Sequence, residues 1–100
     1  MTECYRYTFD ELVPAEDIEA AYLLAVLSAE SIHGETQVKL DEAHIFEPAT
    51  RTCTVDASTD VGRDINRLFT GYVRREFEEG LFRIKRMDGA AAGELAGAAA

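Results

Sequence analysis

A chain of 100 residues, 47% apolar and 29% charged, has room for one modest core that buries about two-thirds of its unfolded surface, and little for a second domain. Its formal net charge of −9 argues against general binding to nucleic acid, which depends on neutralising phosphates. No apolar stretch reaches the length of a membrane span, and the start MTECYRYTFDE lacks the basic and apolar blocks of a secretion signal, which together predict a cytoplasmic protein.

Along the chain, Cys4–Phe9 alternates, with Tyr5, Tyr7 and Phe9 against Cys4, Arg6 and Thr8. That is the period of a half-buried strand. Ala15–His33 is the longest apolar-rich run. Ile18, Ala21, Ala25, Ser28, Ala29 and Ile32 share one face at helical spacing, with Tyr22 and Leu24 on its flanks. Pro14 suits the start of this helix and Gly34 the residue just past its end. Glu16, Asp17 and Glu19 near the start and His33 near the end suit the two poles of the helix dipole.

Gly34–Thr36 reads as a turn and Gln37–Phe46 as a strand of shifting parity. Val38 and Leu40 point one way and Ala43 and Ile45 the other, which a bulge near Asp41–Glu42 would reconcile. Glu47-Pro48-Ala49-Thr50 marks a turn. Thr52–Ala57 is a strand with Cys53, Val55 and Ala57 on one face. A five-residue loop, Glu47–Arg51, sets Ile45 opposite Cys53 and Ala43 opposite Val55, the register that keeps apolar residues together. Ser58, Thr59 and Asp60 are three possible N-caps for a second helix running to about Glu79. Its stripe is Val61, Ile65, Leu68, Phe69, Tyr72, Val73 and Phe77, and Gly80 ends it. Leu81–Met87 alternates as a last strand. Residues 88–100 are rich in Ala and Gly with Leu95 as their one large apolar side chain. They are assigned to a flexible tail outside a single domain over 1–87.

The order strand, helix, strand, strand, helix, strand is the split βαβ pattern of the ferredoxin-like α+β fold. It predicts a four-stranded antiparallel sheet in order 4-1-3-2, with two helices on one face. That layout hosts many unrelated functions and licenses none by itself.

Charge is uneven. Residues 1–62 hold three basic and thirteen acidic side chains, and residues 63–86 seven basic and four acidic. The open face of the predicted sheet gathers Arg6, His44, Thr52, Thr54, Arg83 and Lys85, a surface for a small anion or an acidic partner. An RNA-reading sheet needs a Lys/Arg-Gly-aromatic motif on its third strand, which here reads RTCTVDA. Ser58–Arg63 opens a helix with hydroxyls and a glycine, yet it lacks the Lys-Ser/Thr pair of a P-loop and carries Asp60. Ordinary capping is its reading.

Catalysis lacks a constellation. A thiol nucleophile needs a base within reach, but Cys53 is set toward the core, Cys4 outward, His44 a strand away from Cys4, and His33 at the far end of a helix. There is no CxxC and no Cys/His cluster, so no metal or other cofactor is expected. The two cysteines are expected free, on opposite faces, with Cys4 accessible. Leu23, Val26 and Leu27 fall on the side of the first helix opposite its core face, among Glu19 and Glu30. Such a cluster marks an interface. Arg63, Arg67 and Arg74 form a basic stripe on the second helix, as a solvated or acid-paired face does. The leading expectation is a noncatalytic association domain that forms a homodimer, or pairs with another protein, away from nucleic acid and membrane. The alternative is a small domain that binds an anionic ligand, or performs catalysis, on the open sheet face.

Overall fold

The computed structural model describes residues 3–88. Residues 89–100, assigned above to a tail, lie outside the described residues, while Asp88 is the last residue of a strand. The elements are β1 (Glu3–Phe9), α1 (Ala15–His33), α2 (Glu35–Asp41), β2 (His44–Glu47), β3 (Thr52–Asp56), α3 (Asp60–Glu76), a 3-10 turn (Glu79–Leu81) and β4 (Phe82–Asp88). The sheet has the order β2-β3-β1-β4, with every neighbouring pair antiparallel. This is the ferredoxin-like layout that the element order predicts, with one helix more.

Alternation in β1 and β3 sets the two faces of the sheet. Tyr7 pairs with Cys53 and Tyr5 with Val55, on the helix side. Arg6 pairs with Thr54 and Thr8 with Thr52, on the other. The core between sheet and helices holds Tyr7, Phe9, Cys53 and Val55 from the sheet. Ile18, Ala21, Tyr22, Ala25 and Ala29 join them from α1, and Val61, Ile65, Phe69 and Val73 from α3. Phe69 stands at its centre, 4.5 Å from the Tyr7 ring and 5.3 Å, edge on, from the Tyr22 ring. The Tyr7 hydroxyl donates to Asn66 Oδ1 and lies 2.7 Å from Thr70 Oγ1. Burial pushes its pKa far above the ordinary phenol value.

The helices run antiparallel, tied by Ser28 Oγ to Tyr72 Oη at 2.8 Å and His33 Nε2 to Asp64 Oδ2 at 2.7 Å. Ala21, Ala25 and Ala29 repeat every fourth residue on the buried side of α1. Their small side chains let the backbones approach. Thr59 is the N-cap of α3, its Oγ1 accepting from Gly62 N at 2.9 Å. Gly62 is required for packing: a Cβ there would overlap the Asp56 carbonyl oxygen.

Three expectations are corrected. First, residues 35–41 are helical, not part of a strand. Gly34, with φ of 89°, ends α1 and opens α2 at once. Glu35–Lys39 and Gln37–Asp41 contacts at i,i+4, 2.8 and 2.7 Å, support the helix. Val38 is its buried residue, and Leu40 faces out.

Second, β2 is one residue out of the expected register. Phe46 lies opposite Cys53 and His44 opposite Val55, so every β2 side chain turns to the other face. The loop is four residues long, closed by the pairing of Glu47 with Thr52. Arg51 takes a left-handed conformation there, φ 53°. Its Nε donates to the Val13 carbonyl and its terminal nitrogen to the Pro48 carbonyl, both at 2.8 Å. Those bonds hold a conformation that a non-glycine residue seldom adopts. Apolar pattern alone could not choose this register, because Ile45 also finds cover, beside Cys4, Ala43 and Met87 on the far face.

Third, Ile32 is 63% exposed despite its helical phase; Ala29 is the last core residue of α1.

Candidate functional site

The open sheet face is built from three rows. Ile45, Thr54, Arg6 and Lys85 form the first, and Glu47, Thr52, Thr8 and Arg83 the second. Asp56, Cys4 and Met87 form the third. Arg6, Thr52, Thr54, Arg83 and Lys85 are therefore together, as the sequence predicts. Thr54 is buried, with Arg6 Nε 3.5 Å from its Oγ1. His44 does not join them, because the register places it on the helix side with Phe46. Nor is Cys4 accessible: it is buried in the small apolar cluster with Ala43, Ile45 and Met87. Cys4 and Cys53 are not joined in a disulfide.

His44 stands in a different setting. Its Nδ1 lies 2.6 Å from Glu42 Oε2, which also accepts from the Tyr22 hydroxyl at 2.8 Å. Its ring stacks on Tyr22 with centroids 4.2 Å apart. Burial works to raise the Glu42 carboxyl, but the His44 hydrogen bond and charge, with the Tyr22 hydrogen bond, outweigh it and hold the group below its ordinary value. Burial, then the Glu42 charge, push the Tyr22 hydroxyl far up. A recess of about 120 Å³ beside this cluster is lined by Ile18, Glu19, Tyr22, His44, Phe46 and Cys53. The Cys53 thiol there is pushed up to about 12 by burial and by Glu42. It is protonated near neutral pH, and the thiolate is the nucleophilic form. The trio thus ties α1, the α2–β2 link and β2 together, and supplies no activated nucleophile. Nothing in the sequence pattern signals it, since it joins residues 22, 42 and 44 across three elements.

The third surface is the outward side of α1. Leu23 is 57% exposed, Leu24 49% and Leu27 50%. Helical spacing continues this stripe to Ala20, also exposed. Val26, grouped with Leu23 and Leu27 by the sequence, is half-buried and packs against its own core. Leu24, placed by the sequence on the core flank, belongs instead to this outer stripe. Beside it, a groove of about 260 Å³ between α1 and α3 is lined by Asp17, Ala20, Ala21, Leu24, Tyr72, Arg75 and Glu76. On α3, Arg63 pairs with Asp60 and Arg67 with Asp64. None of the described carboxylates pairs with Arg74 or Arg75.

No described helix is long and apolar enough to cross a membrane, and among the described residues no group of three or more His, Cys, Asp or Glu side chains is placed to hold a metal ion. Comparison with family models, with curated proteins and with solved structures found no match.

Proposed function

We propose that this chain is a noncatalytic association domain that pairs with a second copy of itself through the outward side of α1. One observation carries the reading. Three adjacent leucines, each about half exposed, lie on the outer side of a helix whose inner side is already buried in its own core. Single exposed leucines are ordinary on a monomer, whereas a contiguous group marks a contact surface.

The spacing suits a two-fold helix pair. In an antiparallel contact centred on Leu23 opposite the partner's Leu27, Ala20 falls opposite Glu30, Glu19 opposite Ser31 and Glu16 opposite Gly34. Apolar residues then meet at the centre, and no acid is set opposite an acid.

Light scattering during size-exclusion chromatography tests this. The expected mass is twice the 11.0 kDa of the protomer. Leu23→Glu with Leu27→Glu should bring it to one protomer while circular dichroism stays unchanged, because glutamate is a good helix former at exposed positions. A wild type that runs as one protomer at every concentration refutes the reading.

A further inference from the structure

Three cations of the basic part of the chain, Arg83, Lys85 and Arg86, lie on β4 at one edge of the sheet. β4 is an edge strand that pairs with β1 alone among the described strands. An edge strand presents unpaired N–H and C=O groups along its free side, a template for one more strand. Natural edges are often guarded by charge, and here the guards share one sign. Arg83 and Lys85 are two residues apart, on the open face and exposed. Neither has an ion-pair partner among the described residues. Arg86, by contrast, is held by Glu3 at 3.5 Å.

On the helix side of the same edge, Phe82 and Ile84 are half-buried and line a groove of about 370 Å³ with Arg74 and Glu79. Its floor is apolar, with one cation and one carboxylate at its walls. Strand geometry alternates faces with a period of two. A strand added beside β4 thus sets one residue opposite Arg83 and another opposite Lys85, on the open face. The residue between them sits opposite Ile84, over the groove.

We infer that β4 takes up an extended acidic segment of another protein as a fifth strand, with the pattern acidic–apolar–acidic. Opposite charges directly across a strand pair are favourable and like charges are not. That rule selects the acidic peptide over a second copy of this chain: joining β4 to β4 would bring the Arg83 and Lys85 rows against each other. It is separate from the α1 contact, which lies on the other layer of the molecule.

The probe is a fluorescein-labelled eight-residue peptide with a Glu-Val-Glu core, titrated by fluorescence anisotropy against the full chain. Saturable binding is expected, weakened at least about tenfold by Arg83→Glu with Lys85→Glu, in line with two cross-strand charge pairs turned repulsive. A Lys-Val-Lys peptide should bind that reversed variant better than it binds the wild type, which also shows that the variant folds. Methylating alternate backbone nitrogens of the Glu-Val-Glu peptide should abolish binding, because a strand cannot then form its ladder. Equal binding of the methylated peptide would reduce the contact to diffuse charge attraction and overturn the proposal. So would the absence of saturable binding, or a change in oligomeric mass caused by the charge reversal, which would assign the edge to a second copy.

Discussion

α1 and α3 have the same task, covering one face of one sheet, and solve it in opposite ways. α3 turns its large apolar side chains, Val61, Ile65, Phe69 and Val73, inward, and Arg63, Arg67 and Arg74 outward. α1 turns three alanines, with Ile18 and Tyr22, inward, and Leu23, Leu24 and Leu27 outward. At Ala21, Ala25 and Ala29 the buried side of α1 carries only a methyl group, while its leucines lie on the side away from the core. The difference teaches that α3 has one partner, the core, whereas α1 carries a second apolar face that its own fold does not use.

Breaking the α3 side should have the largest effect. Phe69→Ala removes the ring between Tyr7 and Tyr22 and should cost about 3–5 kcal/mol, the usual range for a buried Phe. For a domain of this size that leaves little stability. Urea unfolding followed by circular dichroism measures it, and a loss under about 1 kcal/mol would mean that the core repacks around the gap.

On the inner side of α1 the effect should be of opposite cause. Ala25 has no exposed surface, and Ala25→Leu should push the two helices apart at a cost of about 1–3 kcal/mol. The same substitution at Ala20, on the outer side, should be nearly neutral. Comparing the two variants by thermal unfolding sharpens the assignment of faces.

A smaller, pH-dependent effect comes from the bond between α1 and β2. The carboxyl of Glu42 is held below its ordinary value in the folded state. Its stabilising contribution is therefore complete above the unfolded value, near the ordinary 4.5, and is lost as pH falls through the folded one. Glu42→Gln should cost about 1 kcal/mol near neutral pH. It should also flatten the fall in urea midpoint as pH drops below the ordinary value of 4.5. Parallel curves for wild type and variant would show that another carboxylate governs acid unfolding.

The smallest change in protomer stability belongs to Leu23→Glu with Leu27→Glu. Away from any partner it should stay within about 0.5 kcal/mol, as for surface sites, while the mass in solution halves. The same pair of glutamates at Ile65 and Phe69 should prevent folding. If the α1 pair does so too, those leucines serve the core after all.

The local pattern of the chain by itself determined β1, β3, α1, α3 and β4, and with them the order of the sheet. β1, β3, α3 and β4 each have a period strong enough to name the element, and α1 is named by its long run between Pro14 and Gly34. Four strands with two long helices in this sequence leave few ways to connect. It also placed Arg6, Thr52, Thr54, Arg83 and Lys85 on one face, because alternation within a strand is a local property. Only the tertiary structure decided residues 34–47. Val38 and Leu40 suit a strand as well as a helix over so short a run, and Gly34 at positive φ let a new helix start at once. β2 has apolar residues on both faces, so its register rested on Arg51 and on where Phe46 and Ile45 each found cover. That one-residue step carried His44 from the open face to Tyr22 and Glu42. A period within one element fixes which side chains lie together. Which of two apolar faces meets the core depends on what the other elements leave room for, and that is not written in any one stretch of chain.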